Sequence, residues 1–225
     1  MATDDQVTPH SPLFSKREGE RLRTLQLYRI LDSESNAMFD DLTRLAAAIC
    51  ESPISLISLV DQDRQWFLSR VGLDVPQTPR DISFCAHAIN QNDVFVVEDA
   101  SLDPRFATNP LVTSEPRIRF YAGAPLVMAN GSSLGTLCVI DHKSRHLTGM
   151  QLEALKTLRA AVVTQLELRR ALEDLRSLAQ LIPMCAWCRS VQNAEGRWLS
   201  PHDYVAETGL VTHGMCPDCS AQLNK

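Results

Sequence analysis

The chain has 225 residues, a formal net charge of −5 at neutral pH and seven cysteines. That length holds one domain with a real hydrophobic core plus a small appendage. The acidic balance, with no local basic patch, argues against nucleic acid and against an anionic membrane surface as partners. No stretch approaches the roughly 18–20 apolar residues of a membrane span, and the N-terminus lacks a signal-peptide pattern. A cytoplasmic location is therefore expected, and in that reducing compartment an odd cysteine count argues against a disulfide framework while paired CxxC spacing argues for metal or thiol chemistry.

Residues 1–19, polar and carrying Pro9, Pro12 and Gly19, read as a flexible lead. From Glu20, Leu22, Leu25, Tyr28 and Leu31 recur at helical spacing; after the turn-forming DSESN, Phe39, Leu42, Leu45, Ala46 and Ile49 mark one face of a second helix. The run ISLISLV (54–60), the turn DQDR and the run QWFLSRVG (65–72) predict a β-hairpin. A proline-rich loop, PQTPRD, leads to a short helix around FCAHAI (84–89) and a strand at VFVVED (94–99). Two strands, RFYAGAPLVM (119–128) and LGTLCVID (134–141), are joined by the Asn-Gly turn ANGSS. The reading is therefore five strands flanked by helices.

A long helix is expected from Thr148 to about Ile182, ended by Pro183. Leu152, Leu155, Leu158 and Val162 can pack on the sheet, while Leu168, Leu172, Leu175, Ala179 and Ile182 form a short heptad seam. Residues 150–182 are accordingly the candidate homodimer contact, the other reading being a solvated connecting helix with one apolar stripe.

The order of these elements, and the stretches SLISLVDQDRQWF, ISFCAHAI, VVEDASLDPRFATNPLV, IRFYAGAPL and LGTLCVIDHKSRHLT, resemble a GAF domain over residues 20–170. The resemblance implies an α+β fold, a central antiparallel sheet flanked by helices with a pocket on one side. It also implies a sensing or dimerising role in bacterial signal transduction. Members of that family bind cyclic nucleotides, haem, bilins or small metabolites, so the ligand does not follow from the fold. The stretch NDVFVVED lacks the lysine and the spacing of cyclic-nucleotide binders. Cys85 would be the point of bilin attachment and His87 the axial ligand of a haem, and Tyr121 is a candidate for lining the pocket. Two positions apart on a helix point roughly 200° away from each other, so Cys85 and His87 do not both face one cavity. In the DPRF loop, Arg105 is placed to pair with a carboxylate and Phe106 to anchor the loop, and Trp66 is read as core. Some GAF proteins reduce free methionine sulfoxide with pocket cysteines, but no spacing pairs Cys50, Cys85 and Cys138, which fall in three different elements.

The remaining cysteines make two pairs, CAWC (185–188) and CPDC (216–219). Four thiolates, from Cys185, Cys188, Cys216 and Cys219, can surround one zinc tetrahedrally, and a tail of this size needs a metal to fold. The Cys-Pro-x-Cys turn is also similar to that of rubredoxin, which makes iron the alternative; Arg189 and Ser220 stand where rubredoxins have glycine. Between the pairs there is room for a hairpin around Glu195-Gly196 and a helix from about Pro201 to Thr208, and His213 is left outside the filled shell. The tail from LIPMCAWC to THGMCPDC also resembles a short C-terminal module attached to bacterial PAS, GAF and receiver-domain proteins.

The organisation expected is a lead (1–19), a sensory domain (20–170), a signalling helix (171–182) and a four-cysteine, zinc-ribbon-like module (183–225). The function expected is that of a non-catalytic sensor or adaptor with an unidentified small ligand and an unidentified signalling protein as partner. The competing reading is a thiol-based redox sensor or a sulfoxide-reducing enzyme.

Overall fold

The computed structural model of the chain describes residues 17–34, 36–179 and 183–207. Most of the flexible lead, Ile182, the last expected helix residue, and Cys216 and Cys219 of the tail lie outside the described residues.

Two helices come first, α1 (Glu18–Leu27) and α2 (Ala37–Cys50). Asn36 caps α2 by accepting the Phe39 N–H at 3.2 Å. The face α2 buries is made of Phe39, Thr43, Ala46, Ala47 and Cys50. Leu45, expected on that face, is 46% exposed, because the small residues Ala46 and Ala47 turn the close-packing side of the helix away from it. Leu31 likewise lies beyond α1, which stops at Leu27, since Arg29 has a positive φ that no helix continues through.

Next come β1 (Ile54–Val60) and β2 (Arg64–Val71), an antiparallel hairpin. The loop PQTPRD supplies an unexpected strand, β3 (Gln77–Pro79), on the outer edge of β2. Its prolines disguised it in the sequence; proline is compatible with an edge strand, where one side of the backbone has no partner. Then follow α3 (Phe84–Ala88), β4 (Phe95–Val97) and the short α4 (Pro110–Thr113), whose Asn109 cap and leading proline are standard helix-start chemistry. The hairpin of β5 (Phe120–Val127) and β6 (Ser133–Asp141) closes the sheet. Its turn uses Gly131 at φ +81° and an Asn130 side chain that accepts the Ser132 N–H.

The sheet has six strands in the order β3-β2-β1-β6-β5-β4, every neighbouring pair antiparallel. Gly135 sits where β6 crosses β1; a Cβ there would stand 1.8 Å from the Ser58 carbonyl oxygen. The last helix of this part, α5 (Gly149–Ala179), starts with a reciprocal cap. Thr148 N–H donates to Gln151 Oε1 (3.0 Å), and Gln151 N–H donates to Thr148 Oγ1 (3.2 Å).

Strand alternation divides the core in two. On one face Ile57, Leu59, Trp66, Phe120, Ala122 and Leu137 pack with α1, α2 and the first half of α5. On the other, Leu56, Phe67, Tyr121, Cys138 and Ile140 pack with α3, α4 and the loops around Phe106. This is the α+β architecture expected, with one strand more than the pattern suggested.

The chain divides into two compact units within α5, after Glu167. The second contains β7 (Val191–Gln192) paired with β8 (Trp198–Leu199), and α6 (Pro201–Glu207). Gly196, at φ +77°, makes the turn of this hairpin.

Candidate functional site

Cys85 is the second residue of α3, a five-residue helix capped by Ser83, whose Oγ accepts the Ala86 N–H at 3.1 Å. The cap fixes which way α3 faces, and Cys85 points at the sheet while His87 does not. Cys85 is 1% exposed, and Tyr121, Thr136 and Cys138 around it are completely buried. The Tyr121 hydroxyl donates to Cys85 Sγ at 3.2 Å and the Thr136 hydroxyl at 3.1 Å, and Cys138 Sγ lies 3.9 Å from Cys85 Sγ.

The strand register explains the grouping. Thr136 and Cys138 are two apart on β6 and share a face, and Cys138 is directly across from Gly123 of β5. With no side chain at Gly123, the Tyr121 ring runs along β5 and brings its hydroxyl to the sulfurs. Cys138 and Thr136, which sequence reasoning did not select, thus belong to the same site as Cys85 and Tyr121. The alternation in LGTLCVID already placed Thr136 and Cys138 on one side. Their nearness to Cys85 depends on a contact across 53 residues, for which a local pattern carries no signal.

The electrostatics are uneven. Burial by itself would raise the Cys85 thiol, but hydrogen bonds from Cys138, Thr136 and Tyr121 outweigh it and bring the pKa below the ordinary thiol value. Cys138 moves the other way, pushed up by its bond to Cys85 and by burial. Burial and the Cys85 charge raise Tyr121 as well, so its phenol keeps its proton and remains a donor. One sulfur is prepared to carry charge and its neighbour to stay protonated.

His87 takes a separate place. Its ring meets Phe106 edge-on, with centroids 4.9 Å apart, and burial followed by the Arg105 charge lowers its pKa. Arg105 pairs with Asp103 at 2.6 Å and lies over the Phe95 ring at 4.8 Å. Phe106, completely buried, stacks on Phe84 at 4.1 Å. Arg105 therefore pairs with a carboxylate and Phe106 anchors the DPRF loop against α3, as their residue types suggested.

Neither Cys85, His87 nor Tyr121 lines the apolar cleft on this face. That cleft, of about 430 Å³, is walled by Ile54, Leu56, Phe67, Leu73, Ile118 and Ile140, with Leu111 and Pro116 at its side. Four polar residues, Gln65, Asp74, Thr78 and Glu115, are also among its lining residues. Thr78 Oγ1 is buried with no hydrogen-bond partner, and Gln65 is held at its oxygen by the Ser83 hydroxyl. Trp66 is on the opposite face, in the helix-side core, as expected.

In the second unit Cys185 is buried against Trp198, and Cys188 is exposed. The Arg189 N–H donates to the Cys185 carbonyl at 2.9 Å, closing a turn with Arg189 at φ +64°. Cys188 Sγ donates to Ser190 Oγ at 3.2 Å. Among the described residues there is no cluster able to hold a metal ion; the other cysteine pair lies outside them.

A six-stranded antiparallel sheet with helices on both faces and a cleft on one of them defines an α+β module. The GAF domain model matches residues 34–168, and the chain belongs to the GAF domain family. A cyclic di-GMP phosphodiesterase of Pseudomonas aeruginosa is 47% identical over 135 residues, 60% of this chain and 23% of that protein. The chain thus spans about a quarter of that relative's length. Among solved structures, the GAF domain of an Acinetobacter phosphoenolpyruvate-protein phosphotransferase superposes with a TM-score of 0.50 at 21% identity, covering 70% of this chain and 97% of that one. The GAF domain of the corresponding Coxiella burnetii protein gives 0.50 at 16%, covering 69% and 95%.

Proposed function

We propose that the chain is a cytoplasmic, non-catalytic sensory module that binds a mainly apolar small molecule in the cleft beside β1 and β2 and relays its state through α5 to a signalling partner. The observation that carries this reading is the cleft itself. Its walls are mostly hydrophobic side chains, with Asp74 and Glu115 also in the lining, and a buried hydroxyl, that of Thr78, is left for a ligand to satisfy. A ligand that fills such a space gains from the apolar area it buries, and one acceptor or donor placed at Thr78 orients it. The relative named as a cyclic di-GMP phosphodiesterase supports the relay, since there a similar segment occupies about a quarter of a protein named for an enzymatic activity. In our reading the output lies likewise outside the GAF domain, in an enzyme of this kind or in a separate signalling protein.

The tail is proposed as a structural zinc module, with iron the alternative. Cys185 and Cys188 share one turn closed by the Arg189 N–H, which fits a half-site of two thiolates; Cys216 and Cys219 would complete it. A metal there would hold the small hairpin together.

Titration with 8-anilinonaphthalene-1-sulfonate tests the cleft. Saturable one-to-one fluorescence enhancement is expected, and Leu111→Trp, which fills the side of the cleft, should abolish it. Absence of saturation, or unchanged binding by the variant, would reject the cleft as the sensing site.

A further inference from the structure

The same face of the sheet holds two sulfur atoms at 3.9 Å with nothing between them, and the sensory reading gives them no task. We propose that Cys85 and Cys138 form a dithiol–disulfide couple that a hydroperoxide oxidises, making this module a thiol switch as well as a ligand sensor. The geometry distributes the roles. Cys85 Sγ receives two hydroxyl donors, from Tyr121 at 3.2 Å and Thr136 at 3.1 Å, which stabilise negative charge on it and make it the nucleophile. Cys138, on the central strand β6, is the neighbouring thiol that resolves the product.

Two steps balance the chemistry. The Cys85 thiolate attacks the terminal, hydroxyl-bearing oxygen of the hydroperoxide; the O–O bond breaks, and the alkoxide, or hydroxide when the oxidant is hydrogen peroxide, takes the proton that the Cys85 thiol gave up and leaves as alcohol or water. Cys85 is then a sulfenic acid. The Cys138 sulfur attacks the Cys85 sulfur, the S–O bond breaks, and the hydroxide released takes the Cys138 proton and departs as water. Overall, two thiols lose two protons and two electrons to the peroxide. A small dithiol or a cellular thiol reductase returns the pair by exchange.

The surroundings give oxidation a consequence. Leu56 pairs with Cys138 across β1 and β6, Ile140 is two residues further along β6, and both line the cleft, so the thiols lie one side chain behind its wall. A bond requires the sulfurs to close from 3.9 Å to about 2.0 Å. Cys138 is locked into a central strand, whereas α3 has five residues, so α3 is the part that moves. Ser83, the cap of α3, is hydrogen-bonded to Gln65 in the cleft lining. Oxidation therefore reaches the cleft through one hydrogen bond.

The test is a peptide map of the full chain. Reduced protein is exposed to hydrogen peroxide under native conditions, quenched in acid, alkylated in denaturant and digested. The expected product is a peptide pair joined through Cys85 and Cys138, released by dithiothreitol. Cys50, on the helix side of the sheet, should remain alkylated. The idea fails if Cys85 and Cys138 both stay alkylated after the exposed Cys188 has been oxidised, or if Cys85 passes to the sulfinic acid while Cys138 stays free. Cys138→Ala adds a second check, since a dimedone adduct on Cys85 should accumulate there and be scarce in the unsubstituted chain. The wild-type map needs no variant to fold, and it reads thiols only, so failure of the cleft as a ligand site would leave its outcome unchanged.

Discussion

Gly123 is what allows Tyr121 to reach the sulfurs. A Cβ at that position would stand 2.2 Å from the Tyr121 hydroxyl, and the Tyr121 side chain is completely buried. Gly123→Ala is expected to displace the ring and cost about 1–3 kcal/mol, the usual penalty of overpacking. Urea unfolding measures it, and the Cys85 thiol should titrate higher once one of its donors has gone. His87 shows the same scale of argument with the opposite result. Its spacing from Cys85 invites a shared ligand, yet it packs on Phe106 and faces Arg105. Its ring packs against the loop that holds Phe106.

At the level of elements, one carboxylate joins α1 to the sheet. Glu18 accepts from Arg21 (2.6 Å) and from Arg80 (2.7 Å), and both guanidinium groups are nearly fully buried. Arg21 also donates to the Val60 carbonyl and Arg80 to that of Asp61, so the end of β1 is tied in. Burial would raise the Glu18 carboxyl, but the hydrogen bonds and charges of Arg21 and Arg80 prevail and hold it at about 2, against 4.5 ordinarily. A folded-state pKa below the unfolded one means the contribution to stability is complete above about 4.5 and is lost as pH falls toward 2. Glu18→Gln should therefore lower stability near neutral pH and flatten its decline over that acid range, as followed by thermal unfolding at a series of pH values.

The whole molecule leaves an apolar stripe on α5, where Leu168, Leu172 and Leu175 are 49%, 45% and 62% exposed. A second copy of the chain covering this stripe is the proposed homodimer. Sedimentation should show a concentration-dependent dimer that Leu172→Lys with Leu175→Lys reduces to monomer, with the sheet domain unaltered by circular dichroism. The tail yields a separate expectation. Metal analysis of protein purified without added metal should find one zinc or iron per chain, lost in Cys185→Ser; no metal in the unsubstituted chain would remove the proposed site. No described helix is long and apolar enough to cross a membrane.

By itself the sequence determined the elements whose chemistry is local. The alternation of ISLISLV and LGTLCVID, the Asn-Gly turn and the Thr148 start of α5 each depend on neighbours a few residues away; the GAF family itself was indicated by resemblance, in stretches such as ISFCAHAI and LGTLCVIDHKSRHLT. β3 escaped because Pro76 before it and Pro79 at its end look like loop, while an edge strand tolerates them. Leu45 was misplaced because helical spacing admits a wide face, and close packing against the sheet selected the small residues beside it. The site was legible only in part. Cys85 and Tyr121 stood out as residue types, but their partners Cys138 and Thr136, and the cleft that excludes all four, come from strand register and from a helix laid across the sheet. Those distances are set by contacts between segments far apart in the chain, and only the tertiary structure decides them.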